Sequence, residues 1–205
     1  GEIAHPDLII LSVGGNDVGF GEIIRRSVKG TCDANCIDEI IKPGFAVLPL
    51  RYEEMANTFR DALKPRRVLM LDYGDPTRDQ DGNFCKHDGS PLRASRSIGI
   101  PLLTVTVDEY RLAAQKVVEP LNALGRQLAL SRKNEGWAHL NVMAKATNRK
   151  GICSKASWFT SSYTAVMKQN RLPQAEYSSG TAHPNVIYHS YQADAIVDWM
   201  QRTGF

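Results

Sequence analysis

The feature that most constrains the fold is an uninterrupted apolar run near the start of the chain. Leu8-Ile9-Ile10-Leu11 is followed by Ser12 and Val13. A strand with one solvent-facing side alternates apolar and polar residues, whereas a central parallel strand is apolar on both faces. Residues 7–13 are therefore predicted to form a strand buried on both faces. The run is far shorter than the roughly 20 residues that cross a bilayer, so no membrane span is expected.

Further strands and helices alternate along the rest of the chain. Thr106 and Glu109, three residues apart, form a capping box that begins a long amphipathic helix, with a bend expected at Pro120. Strand followed by helix, repeated, is typical of a parallel sheet with helices on both faces. The sequence therefore predicts a three-layer α/β fold in a single domain of 205 residues. The remaining predicted elements are helices at 51–63, 106–132 and 188–201 and strands at 68–71 and 137–143.

Composition excludes one class of partner. The chain has 25 Lys and Arg against 22 Asp and Glu, a net charge of +3. A nucleic-acid groove needs basic residues interleaved with aromatic residues that stack on bases, and no such segment is present. Nucleic acid is therefore not an expected partner.

Four cysteines indicate whether the protein resides in an oxidising or a reducing compartment. Cys32 and Cys36 share one polar loop, whereas Cys85 and Cys153 lie singly in two other turn-rich segments. We expect disulfides between Cys32 and Cys36 and between Cys85 and Cys153, which would place the protein in an oxidising compartment, secreted or periplasmic. Four free thiols are the alternative. A zinc site is disfavoured because no close CxxC pair is present.

Two short motifs fall in loops where an open parallel sheet places its function, beyond the carboxyl ends of the strands. Gly14-Gly15-Asn16-Asp17 follows the first strand, and His183-Pro184-Asn185 precedes the last helix. An Asn side-chain amide on a glycine-rich turn suits the stabilisation of a developing oxyanion. A histidine suits the role of general base toward a hydroxyl. The alternative interpretation is that both segments are structural turns.

Together these motifs resemble the SGNH/GDSL hydrolase family, whose third block is a Gly-x-Asn-Asp after a central strand and whose last block carries the catalytic histidine. The resemblance covers the whole chain in element order, from the third strand of that fold onward. It implies a flavodoxin-like parallel sheet and a cofactor-free, metal-free ester hydrolase acting by Ser-His acyl transfer. Asn16, with Gly15, would bind the oxyanion and substrate, and His183 would be the base. Lipids and acetylated sugars are the implied substrates.

The chain departs from the family beside the histidine. The family has an Asp three residues before the histidine, and this chain has Gly180 there. The carbonyl of Gly180 or Thr181, or the carboxylate of Glu176, could orient His183 instead. His189 is the reserve candidate for the base.

A second departure concerns the nucleophile. The family's Gly-Asp-Ser block is absent, and Ser12 is expected to point into the packing. We therefore expect the N-terminal strands and the serine upstream of Gly1 or on a companion chain. Without them the first strand would be an uncovered apolar edge. The alternative function is a non-catalytic binding module, or pseudoenzyme, with the same cleft.

Overall fold

A computed structural model describes residues 5–28, 32–90, 105–169 and 180–204. Within them the fold is mixed α/β, with a small parallel sheet and helices in the connections. The strands are β1 (Leu8–Leu11), β2 (Arg67–Leu71) and β3 (Trp137–Leu140). The α-helices are α1 (Phe20–Val28), α2 (Ala34–Thr58), α3 (Val107–Ala113), α4 (Glu119–Ser131), α5 (Met143–Ala146), α6 (Ser162–Gln169) and α7 (Val186–Thr203).

The sheet has the order β1-β2-β3, and both pairs are parallel. Ile9 pairs with Val68, and Val68 pairs in turn with Trp137. The carboxyl ends of all three strands therefore lie on the same edge of the sheet. The third strand is shorter than predicted, because the buried Asp72 carboxylate accepts the first backbone N–H groups of α5 and so begins a helix at Met143.

Helices cover both faces of the sheet. Val68 and Met70 of β2 pack into a core that includes Leu48 of α2 and Leu121 of α4. The alternate residues of the same strand pack on the opposite face against Trp199 of α7. Period-two alternation explains this division, because successive side chains of a strand point to opposite faces. The expectation of an α/β fold with a parallel sheet is confirmed.

The prediction that residues 7–13 are buried on both faces is wrong. Ile10 is 45% exposed, and its neighbours in β1 are only half-buried. The reason is topological, because β1 pairs with β2 and has no second strand partner among the described residues. The prediction of a strand in this apolar run is confirmed, but among the described residues the strand lies at an edge of the sheet.

Helix α2 begins well before the predicted helix at 51–63. Its N-cap is Asp33, whose side chain accepts a hydrogen bond from the Cys36 N–H at 3.0 Å, and a π-helical turn extends the helix to Leu63. Pro43 and Pro49 lie inside it. A helix was not predicted here because proline in a helix interior removes a backbone hydrogen bond, so Pro43 and Pro49 argue against a helix.

The remaining helices correct the sequence prediction in smaller ways. The capping box at Thr106 and Glu109 is confirmed. The irregularity expected at Pro120 is a π-helical turn over Ala114–Val118, directly before that proline. A proline lacks the N–H that would close the preceding turn, which favours such a widened turn. Neither α1 nor α6 is among the elements predicted from the sequence.

Both expected disulfides are present, and free thiols are excluded among the described residues. Cys32 and Cys36 are joined at the start of α2. Cys85 and Cys153 join the loop after β2 to the loop after α5. No helix in the described part of the chain is long and apolar enough to span a bilayer.

Candidate active site

Asn16 and His183 line the same cavity. It has a volume of about 520 Å³ and lies beyond the carboxyl ends of β1 and β2. Both side chains belong to exposed residues, so each is open to solvent and to a ligand. The structure thus brings together the two motifs that the sequence analysis singled out. Other residues that line the cavity include Gly15, Tyr73, Tyr188 and His189.

Helix α2 holds the turn that carries Asn16. Gly14 has a φ of +108°, and a Cβ there would lie 2.5 Å from the Tyr52 hydroxyl oxygen, so only glycine fits. Tyr52 donates a hydrogen bond to the Val13 carbonyl at 2.8 Å. Arg51, the preceding residue of α2, forms an ion pair with Asp17. The turn is therefore fixed on both sides of Asn16.

The backbone N–H beside Asn16 is already occupied. Gly15 donates its N–H to the Tyr73 hydroxyl at 3.1 Å. Tyr73 is held by a reciprocal pair of hydrogen bonds between its backbone and the Asn122 amide, of 2.7 and 2.9 Å. Within the described residues the Asn16 side chain has no hydrogen-bond partner. The Asn16 side-chain amide is therefore available to donate to an anion.

A second tyrosine ties the next loop to the last helix. The buried Tyr188 hydroxyl of α7 accepts the Gly74 N–H at 3.1 Å. Burial raises the pKa of Tyr188 to about 12, and burial also raises the pKa of Tyr73. Both phenols are therefore neutral near pH 7, where they act as hydrogen-bonding groups of the cavity wall.

The segment that carries His183 forms backbone hydrogen bonds with the loop before α6. Thr160 donates to the His183 carbonyl at 2.9 Å and accepts from the Ala182 N–H at 2.8 Å. Ala182 has a φ of +60°, an uncommon conformation for a residue other than glycine. Asn185 caps α7 through its side-chain oxygen and donates its amide to the Ser157 carbonyl. Hydrogen bonds on both sides of His183 therefore fix its backbone.

The His183 ring has a carbonyl neighbour. Its Nδ1 lies 3.3 Å from the Thr181 carbonyl oxygen, while the Gly180 carbonyl accepts the His183 backbone N–H. Of the groups considered for orienting the ring, Thr181 is therefore the one in contact with it. Glu176 lies outside the described residues. His189 lines the cavity one turn into α7, and its ring lies edge-on against Tyr188.

Ser12 does not point into the packing as expected. It is exposed and lines the cavity. Ser12 follows β1, which has no second strand partner among the described residues. Ser12 is the sole serine among the residues that line this cavity in the described part of the chain.

Sequence reasoning missed the residues that support the site. Tyr73, Asn122 and Arg51 act through contacts with residues far away along the chain. Only the position of Tyr73, directly after Asp72 at the end of a predicted strand, could have indicated its place at the cavity. The described residues contain no cluster of three or more His, Cys, Asp or Glu side chains suited to a metal ion.

Comparisons with known proteins assign no family. No family model matches the chain, and no curated protein or solved structure matches it either. What the cavity does chemically must therefore be inferred from its own residues. Those residues offer the Asn16 side-chain amide, the exposed imidazoles of His183 and His189, and two neutral phenols around a common space.

Proposed function

We propose that this chain supplies the oxyanion-binding amide and the general base of a carboxylic ester hydrolase of the SGNH/GDSL type. The observation that carries the proposal is that the Asn16 amide and the His183 imidazole line one cavity at the carboxyl edge of a parallel sheet. Acyl transfer requires this combination, a proton acceptor and a hydrogen-bond donor facing the same reacting carbonyl. No cofactor takes part in the proposed reaction.

The reaction proceeds in two stages. A serine hydroxyl attacks the ester carbonyl and passes its proton to Nε2 of His183, while the carbonyl oxygen becomes an oxyanion that accepts a hydrogen bond from Asn16 Nδ2. Collapse of this intermediate breaks the bond to the alcohol, which leaves with the proton from His183. Water then attacks the acyl-enzyme with His183 again as base, releasing the carboxylic acid and the serine hydroxyl.

The Thr181 carbonyl supports a Ser-His dyad. Nδ1–H of His183 would donate to the Thr181 carbonyl, at the observed separation of 3.3 Å. That tautomer leaves the Nε2 lone pair free to accept the serine proton. A carbonyl orients the ring as the family's Asp does, but it provides less stabilisation of the imidazolium than a carboxylate would.

The serine is proposed to arrive with a strand that adds to the free edge of β1, on an N-terminal segment or a companion chain. In the flavodoxin-like order 2-1-3-4-5, β1 of this chain is the third strand and would pair with the first. The half-exposed Ile10 and the open strand edge support such an addition, because exposed apolar edges favour pairing. The two disulfides support a secreted or periplasmic setting.

The experiment is hydrolysis of p-nitrophenyl acetate by the native protein and two histidine variants. His183→Ala should lower kcat by at least about 100-fold, the contribution expected of a general base. His189→Ala is the matched comparison and should stay within about tenfold of the native rate. The reverse ranking would make His189 the base. Absence of hydrolysis in the native protein would favour a non-catalytic binding module.

A further inference from the structure

A second, smaller chamber adjoins the cavity. It lies between α1 and α3 and has a volume of about 60 Å³. Helix α1 contributes Ile23 and Ile24, helix α3 contributes Ala113, and Ile152 closes it from the loop after α5. The atoms exposed to its interior are mostly apolar. We call it the α1–α3 chamber.

Three polar side chains in its wall form hydrogen bonds with neighbouring protein groups. The Thr77 hydroxyl donates to Asp75 at 2.5 Å. Asp88 accepts from the hydroxyls of Ser90 and Ser162, and Glu109 accepts from the backbone and hydroxyl of Thr106. Polar groups satisfied in this way gain nothing from a polar ligand. The chamber is therefore suited to a hydrocarbon group.

The chamber lies beside the proposed reacting centre. Three residues, Phe20, Pro76 and Ala182, line both the chamber and the larger cavity. Phe20 donates its N–H to the carbonyl of Gly15, the residue before Asn16, and Ala182 directly precedes His183. The shared wall thus runs from the oxyanion turn to the histidine segment. A group attached to a carbonyl held between Asn16 and His183 would lie against this shared wall.

We propose that the α1–α3 chamber receives the acyl group of the substrate and restricts hydrolysis to esters of short straight-chain acids. This inference rests on the proposed function. A cavity of about 150 Å³ holds a six-carbon ring, so 60 Å³ holds roughly two to three carbon atoms beyond the carbonyl. The preferred acyl groups are therefore acetyl to butyryl, and long-chain lipid esters are excluded as good substrates.

The test is the acyl-chain profile of the native protein with p-nitrophenyl esters from acetate to decanoate. Ala113→Leu fills the chamber and should lower kcat/KM for butyrate by at least about tenfold relative to acetate, since one methylene in an apolar pocket changes selectivity by roughly 10-fold to 200-fold. Ile24→Ala enlarges it and should raise kcat/KM for hexanoate. Ala123→Leu, at an exposed alanine of α4, is the matched control and should keep the native profile.

A native optimum at octanoate or decanoate, or an unchanged profile in both chamber variants, would overturn the inference while the esterase proposal stands. If no ester is hydrolysed, the proposed function fails and the chamber is tested by NMR titration with sodium butyrate. Shifts at the amides of Ile24, Ala113 and Ala182 that are lost in Ala113→Leu would then support the chamber. No shifts at these amides would refute it.

Discussion

Asn16 is the residue on which the proposed chemistry depends most directly. Its neighbours are fixed by contacts to α2 and to Tyr73, whereas its own amide faces the cavity without a partner among the described residues. A donor fixed in advance stabilises a developing charge without the cost of reorganisation. The hydrogen bonds of this turn therefore fix the position from which the Asn16 side chain extends.

Asn16→Ala in the native protein should lower kcat for p-nitrophenyl acetate by about 100-fold to 1000-fold, as expected for loss of one oxyanion donor. Its melting temperature should stay near the native value, because the side chain makes no contact that stabilises the fold. Asn134→Ala, at an exposed asparagine before β3, is the control. Equal turnover in Asn16→Ala and the control would remove Asn16 from the mechanism.

His139 of β3 and Asp72, the residue after β2, are two titratable groups whose pKa values are shifted by burial. His139 Nε2 is buried without a hydrogen-bond partner among the described residues, and burial lowers the pKa of His139 from its usual 6.5. Burial raises the pKa of Asp72, the carboxylate that begins α5. The folded state therefore disfavours protonated His139, and it disfavours ionised Asp72.

Stability should fall as the pH drops below 6.5, because unfolded His139 then binds a proton that the folded state takes up only at lower pH. The slope from this one group is at most about 1.4 kcal/mol per pH unit. Urea unfolding of the native protein between pH 8 and 5 measures it, and His139→Phe should flatten the curve. A variant with the native slope would show that His139 is not the group responsible.

At the scale of elements, the position of His183 depends on a loop that one disulfide holds. The Cys85–Cys153 bridge joins the loop after β2 to the segment that continues to Trp158 and Thr160. That segment holds residues 182–185 by backbone hydrogen bonds, including Asn185 N–H to the Trp158 carbonyl at 2.9 Å. The histidine segment is thus anchored to a covalently closed loop.

Cys85→Ser with Cys153→Ser should lower the free energy of unfolding by about 4 kcal/mol in the chain-entropy model, since the bridge spans 68 residues. Removing Cys32–Cys36, which spans 4 residues, should cost only about 2 kcal/mol. Chemical denaturation compares the two. The first variant should also lose turnover below its melting temperature, and equal losses of stability and activity in both variants would contradict this account.

The elements that sequence could predict are those with local patterns. Apolar runs indicated all three strands, and the parallel arrangement followed from the helices between them. That arrangement puts the strand ends on one edge, which is why Asn16 and His183 could be expected at a common cavity. The capping box and the disulfide pairs were also readable.

The elements that sequence missed are those whose local pattern is interrupted. In α2 the buried Ile37, Ile41, Leu48, Tyr52 and Ala56 repeat with helical spacing, but Pro43, Gly44 and Pro49 break the run. Such a helix is stabilised by packing against the sheet and not by local preference. The Tyr73 hydroxyl accepts a hydrogen bond from the N–H of Gly15, 58 residues earlier in the sequence. No local sequence pattern predicts such a long-range contact.

At the scale of the whole molecule, the sheet has an apolar edge that faces solvent. β1 pairs on one side only among the described residues, and Ile10 is 45% exposed. Strands of this kind recruit other strands, either from a proper partner or from another copy. The same edge is the surface to which the proposed serine-bearing strand would add, and without that strand it favours self-association.

The 205 residues produced alone should self-associate in proportion to concentration. Ile10→Lys should shift the population toward monomer, because a charge on an edge strand opposes strand addition. Leu130→Lys, at an apolar helix residue that is 63% exposed, tests whether any new surface charge has the same effect and should leave association unchanged. Sedimentation velocity is the measurement. A monomer at all concentrations would contradict the prediction that the β1 edge drives self-association.

The most direct measurement is labelling of the native protein with a fluorophosphonate probe, followed by mass mapping of the adduct. The account predicts one adduct, on a serine outside residues 1–205, and its loss when His183→Ala removes the base. An adduct on Ser12, or no adduct in the native protein, would contradict the account.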